Sequence, residues 1–423
     1  METFIVACRG RVTLVESMRV LLALVLAAVS LCAQPPEPFG QVEEMLASLA
    51  RITGWHPRRT IRSERLSQEK FTRMVEKSAA AAERDKSTRA VELTLKMFGL
   101  APWDFNLARE SADLLEEQAA AFYDYRKKRL YVLDSTAPGS EQVIALAHEL
   151  AHALADQQFN LRKFLDGAKN DDAAMARQAV IEGQASWLSW AYMSERAGGQ
   201  AEVPRALLEE LSQLSTAGED YPVLANTPLY MRESLTFPYA AGMAFQDAVF
   251  RVRGRAAFTS VFTRPPQSSQ EVLHPERYHA GAAPLEPALP KQIPGLRLRE
   301  WKQLTKGDVG EFDFAVLLRQ YAGEVLGRRI ASHWRGASFA LYEHRRSKAP
   351  LLVHVSEWDT PEAARDFFLA YQDVLRGKWR SMTVTVAGDS ELAGHGDTGD
   401  FLLQISGTRV QCVEGLPEHS RLH

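Results

Sequence analysis

The pentad His148-Glu149-Leu150-Ala151-His152 constrains this chain more than any other feature. It lies within residues 141–159, EQVIALAHELAHALADQQF, where Leu146, Leu150 and Leu154 recur every four positions and Ala145, Ala147, Ala151, Ala153 and Ala155 permit close packing. The periodicity predicts a buried helix that starts just after Ser140, read as its N-cap, with Glu141 in the first turn. Residues four apart stand nearly above one another on a helix, so both imidazoles leave one face and can hold a single Zn²⁺ at about 2.0–2.1 Å. Glu149 flanks the pair, placed to accept a proton from an activated water. The bland alternative is two core histidines and a structural glutamate, but burying such a cluster without partners or a metal is costly.

A catalytic zinc needs a third protein ligand, and Asp156, Asp171, Asp172 and Glu182 are the nearby candidates. His148, His152 and Asp156 are strung along about 12 Å of helix and cannot converge on one ion. Asp156 therefore suits a supporting role, orienting an imidazole or its neighbours. Glu182 lies in AMARQAVIEGQASWLSWAYM, a second helix-compatible segment. The intervening chain is long enough to leave the first helix, turn and return beside it.

Composition narrows the rest. With 46% hydrophobic and 24% charged residues the chain reads as globular, and 423 residues suggest two or three domains. A net charge of -3 provides no basic field for phosphates, so nucleic acid is not an expected partner. Residues 20–33 form a short uncharged apolar run after Met18-Arg19, the length of an export-signal core and short for a membrane-spanning helix. Residues 1–33 are thus expected to be a signal peptide, with Met18 a second start, and the body to be exported. Lipidation at Cys32, where Leu31 departs from the expected small residue, or an uncleaved anchor would instead attach it to a membrane. Cleavage after Ala33 would leave Cys412 alone of Cys8, Cys32 and Cys412, with no intramolecular disulfide. No G-x-S-x-G, P-loop or paired CxxC supports another hydrolase, an NTPase or a zinc ribbon.

Strong helix formers dominate 41–120, and Tyr- and Val-rich flanks around Arg126-Lys127-Lys128 predict an exposed hairpin over 120–140. Helical texture continues to about 255, with breaks expected at 217–228 and at Phe237-Pro238, and the Pro-rich segment 281–296 marks a domain boundary near 285–297. Beyond it, helices are expected over 311–325 and after Asp359 or Thr360 as cap, with strands in SFALYEH, LLVHVSEW, MTVTVAG, DFLLQIS and TRVQCVEG. His333, His344 and His354 show no ligand spacing, and Trp187, Trp190, Trp334 and Trp358 read as core. The expected class is α+β: a mostly helical domain over 41–285 with an edge hairpin, then a smaller α+β domain over 297–423.

His148-Glu149-x-x-His152 followed by Glu182-Gly183-Gln184-Ala185 resembles the gluzincin group of zinc metallopeptidases, and the hairpin FYDYRKKRLYVLD is similar to the edge strand along which zincins align extended substrate. More narrowly, the chain resembles a set of exported bacterial proteins with a peptidase-MA-like HExxH region, an EGxA segment and a PPxSxxxxLHPxxY stretch. The last is present here from Pro265-Pro266 through Ser268 and Leu273-His274-Pro275 to Tyr278. The resemblance covers about residues 100–280.

It implies a zincin-like metallopeptidase domain with one Zn²⁺ held by His148, His152 and Glu182, Glu149 as general base, and a peptide or protein substrate. The chain departs from well-studied gluzincins at Ser186, where an aspartate one turn beyond the glutamate is expected, leaving Asp156, Asp171 or Asp172 to give that support. Tyr239 and His274 are the candidates to stabilise an oxyanion, against plain roles as a core aromatic and a turn residue. The rival readings are a zinc amidohydrolase acting on a non-peptide amide, and a non-catalytic exported binding or scaffold protein whose zinc is structural or lost and whose recognition resides in 297–423. No feature sets an oligomeric state.

Overall fold

The computed structural model describes residues 41–134, 139–208, 221–293 and 296–417, with the backbone of two short paired strands, Ile5–Cys8 and Arg11–Leu14. The expected leader otherwise lies outside the described residues, Cys32 included. No helix among the described residues is long and apolar enough to cross a membrane.

Amphipathic helices open the described chain. Val42–Thr53 buries Met45, Leu46, Leu49 and Ile52 along one stripe, and Gly54 ends it in the left-handed conformation that L side chains resist. A strand, Arg62–Leu66, then interrupts the helical run expected over 41–120. It pairs in parallel with Arg129–Leu133, which pairs antiparallel with Ala121–Asp124, so Ala121–Asp124 forms one edge of a three-stranded sheet. The hairpin, expected to be exposed, is buried along both strands because its two faces pack into apolar cores, and only Arg126 and Lys127 in its turn are exposed. That turn is held by Asp124, whose Oδ1 accepts the backbone N–H groups of Arg126 and Lys127. Lys128 supplies the left-handed residue. The charged strand 62–66 escapes sequence reading because only Leu66 is buried on it, as suits a polar sheet edge.

Three long helices follow. The motif helix is Ser140–Phe159, with Gly139 rather than Ser140 at the N-cap. Asn160 ends it in a left-handed conformation, and its side chain caps the next short helix, Leu161–Asp166. The second long helix, Asp171–Arg196, carries Glu182, and the third spans Leu229–Arg253. The break expected at Phe237-Pro238 does not occur, because Pro238 is accommodated inside the third helix.

Gly183 sets the second helix in close contact with the third. A Cβ on Gly183 would lie 2.0 Å from the carbonyl carbon of Gly242, and one on Gly242 would lie 2.2 Å from the carbonyl oxygen of Ala179. The two backbones thus touch beside Glu182.

The C-terminal part is a seven-stranded antiparallel sheet in the order Trp301–Asp308, Trp334–His344, Pro350–Trp358, Arg409–Leu416, Gly399–Ser406, Glu391–Gly396 and Thr383–Ala387. Leu352 and Trp358 face the core that includes Phe367 and Tyr371 of helix Pro361–Lys378, while Leu351 and Val353 meet Ile293 and Trp301 on the other face. Burial of both faces explains why LLVHV lacks clean alternation. Trp301–Asp308 and Glu391–Gly396 were not foreseen: the first is a largely polar edge strand and the second is broken by glycines. The Pro-rich segment at the expected boundary lies against the sheet, with the Leu285 N–H donating to the Arg335 carbonyl. One apolar core runs from Val42 to Cys412 across it. A mixed α+β architecture is therefore present, with the sheet in the C-terminal part.

Gly183→Ala is expected to cost about 1–3 kcal/mol of stability, because the methyl must push two helix backbones apart. Urea unfolding measures it, and an unchanged midpoint would contradict the Gly183–Gly242 contact.

Candidate metal centre

The motif helix projects His148 and His152 toward Glu182 on the second helix. His148 Nε2 lies 3.1 Å from Glu182 Oε2, His152 Nε2 lies 3.3 Å from the same oxygen, and the two Nε2 atoms are 2.9 Å apart. Donors about 2.0–2.1 Å from a tetrahedral ion stand about 3.3 Å from one another, so this triangle fits a zinc-sized ion. Hydrogen bonding satisfies it poorly: two Nε2 atoms facing each other need one proton between them, whereas a cation accepts all three lone pairs. His148 and His152 are each 5% exposed and Glu182 is 0% exposed. Burial alone would raise the Glu182 pKa, but the His152 and His148 imidazoles draw it down to about 2. Burial likewise disfavours a charged His152, and Glu182 outweighs that to raise its pKa. The pocket thus already favours a negative carboxylate beside a positive charge.

The Glu182 carboxylate is braced. Gln178, one turn before Glu182 on the same helix, donates from Nε2 to Glu182 Oε1 at 2.9 Å, leaving Oε2 toward the histidines. Gln178 was not singled out from the sequence, although its i, i+4 spacing to Glu182 was readable. It supplies, from the preceding turn, the support missing at Ser186. The helix itself is capped from afar: Asp308, at the end of the first C-terminal strand, accepts the N–H groups of Asp171 and Asp172 at 2.8 and 3.1 Å. A carboxylate at a helix N-terminus is favoured by the exposed N–H groups and the helix dipole. Nothing in the local sequence marks Asp308 for this, since its partners lie more than 130 residues away.

Glu149 is tied to the edge strand, its Oε2 accepting the Tyr123 N–H at 2.6 Å. Asp156 completes that link, accepting the Tyr123 hydroxyl at 3.0 Å, the Lys128 ammonium at 2.6 Å and the Leu161 N–H at 3.0 Å. It holds the hairpin to the motif helix, so its support reaches the neighbours of the imidazoles through Tyr123. Tyr239 stacks on His148, with ring centroids 5.9 Å apart and an interplanar angle of 25°.

Other expected residues lie elsewhere. His274 Nε2 is 2.8 Å from Glu311 Oε1, at the seam with the C-terminal sheet. Asp172 accepts the Ser269 N–H and stays with Asp171 at the helix N-terminus, away from Glu182 by nearly three helical turns. Trp187 is core, its indole donating to Asp247 at 3.2 Å.

Residues 298–423 match a family described as Domain of unknown function (DUF8575). The match covers less than half of the chain; it takes in the seven-stranded sheet and Asp308, but not the two histidines or Glu182. No curated protein and no solved structure matches the chain.

Two expectations follow. Gln178→Leu should weaken zinc affinity about 10–100-fold by freeing the Glu182 carboxylate to rotate, as read by competition with a chromophoric chelator; unchanged affinity would contradict the bracing. The Glu311 hydrogen bond raises the His274 pKa against the opposing effect of burial. A raised folded value means that stability from this pair is complete below about pH 6.5 and is lost as pH rises through the folded pKa. His274→Gln should therefore lower the melting temperature more at pH 6 than at pH 9, and equal losses would contradict the pairing.

Proposed function

We propose that this protein is a zinc-dependent metallopeptidase of gluzincin type, acting on peptide or protein substrates after export. The observation that carries the reading is the convergence of His148, His152 and Glu182 within 3.3 Å beside a glutamate fixed on an edge strand. The resemblance in the HExxH and EGxA segments supplies the reaction class.

A bound zinc ion contributes Lewis acidity, bringing the pKa of a water toward about 7 and polarising a carbonyl oxygen. The chain supplies the remainder. Glu149 accepts the proton of the attacking water and delivers it to the departing amine. Its bond to the Tyr123 N–H sets the base relative to Ala121–Asp124, the strand along which the resemblance implies an extended peptide lies. Tyr239, against His148, is the candidate to steady charge developing on the carbonyl oxygen, and His274, bound to Glu311, is not assigned that role.

The deep burial of all three ligands favours a second reading, a closed structural zinc site in a binding protein. An open coordination position separates the two. Cobalt-substituted protein should change its visible spectrum when a peptide hydroxamate is added if the site is catalytic, and stay unchanged if it is closed.

Glu149→Gln should retain stoichiometric zinc while kcat/KM for a peptide substrate falls by about 10²–10⁴. Undiminished hydrolysis in that variant would remove Glu149 from the chemistry.

A further inference from the structure

The C-terminal sheet brings together three potential ligands that sequence spacing does not reveal. His354 and Cys412 are directly opposite across strands Pro350–Trp358 and Arg409–Leu416, and Glu414 follows two residues on along the same face. One ligand atom from each lies within 4.8 Å of the others, and Cys412 Sγ is 3.7 Å from Glu414 Oε1. All three residues are wholly buried, and neither ring nitrogen of His354 has a hydrogen-bond partner. The rings of Phe98, Phe314 and Tyr371 surround the imidazole. A neutral imidazole must carry one N–H, and burying it without an acceptor costs about 1–3 kcal/mol.

We propose that His354 and Cys412, with Glu414 beside them, form a second metal site, for copper(I), separate from the centre at His148, His152 and Glu182. Thiolate selects soft cations and imidazole accepts copper, so the donor set suits this ion. Charge favours it over zinc. Glu414 is paired with Lys378 Nζ at 2.6 Å, which cancels both charges, and its Oε1 also accepts the Tyr371 hydroxyl. A monovalent cation on the Cys412 thiolate keeps the pocket neutral, whereas Zn²⁺ would leave one positive charge uncompensated in a dry core. Neither ring nitrogen of His354 is engaged by a hydrogen bond, so a neutral ring has a lone pair to give. On binding, the copper–sulfur bond replaces the thiol S–H bond, the proton leaves to solvent, and no electron is transferred. The unit of unknown function at 298–423 would then be a copper(I)-holding module beside a zinc centre.

The test uses the full chain with Cys8 and Cys32 changed to serine, so that Cys412 is the one thiol. The reduced protein is loaded anaerobically with copper(I) in competition with bicinchoninate, and zinc is supplied separately. The expected result is one copper(I) equivalent that survives Glu182→Ala and is lost in Cys412→Ser and His354→Phe. X-ray absorption at the copper edge should show one sulfur and one imidazole bound to the ion in the parent protein, which keeps the test decisive if those variants fail to fold. Absence of bound copper(I), copper without a sulfur ligand, or a zinc ion on Cys412 would each overturn the proposal.

Discussion

Two imidazoles and a carboxylate held almost wholly out of water form the constraint around which this structure is arranged. Three such donors repel or strand one another unless something positive lies between them, and taking them from water without compensation is expensive. Their placement therefore demands that two helices be fixed to within a fraction of an ångström. The neighbouring contacts supply this control. Gly183 lets the helix bearing Glu182 lie directly on the third helix, and Gln178 sets the carboxylate rotation. Glu149 and Asp156 fasten the motif helix to the hairpin through Tyr123.

The C-terminal sheet belongs to this scaffold mechanically. The Asp308 carboxylate caps the helix that bears Glu182, and close packing around Gly310 would place a Cβ there 2.0 Å from Asp172 Oδ1. The segment from Pro265 to Tyr278 closes the same seam. Gln270 donates to Glu311 and to the Trp334 carbonyl, and the Ser269 hydroxyl accepts the Phe312 N–H. Displacement of the sheet would thus uncap the helix that bears Glu182. This coupling gives the matched unit a physical link to the centre whatever else it binds.

Features governed by short-range periodicity were legible in the sequence. The motif helix, the return to Glu182, the hairpin and most C-terminal strands follow from apolar spacing and turn residues. What escaped depends on partners remote in the chain. The strands at 62–66 and 301–308 are polar because they lie at sheet edges, so they lack an alternating signature. Pro238 reads as a helix break, yet the third helix runs through it. The contact of Gly183 with Gly242 carries no local signal, since helix packing alone makes them neighbours. His354 and Cys412 carry no spacing signal, since strand register alone makes them neighbours. Gln178 is the exception, a local helical neighbour of Glu182 that could have been found.

The most direct test of the central claim is anomalous diffraction at the zinc edge from crystals of protein purified without chelators. One peak is expected about 2.0–2.1 Å from His148 Nε2, His152 Nε2 and a Glu182 carboxylate oxygen. No peak between those three atoms, or a zinc ion bound there without Glu182, would contradict the claim.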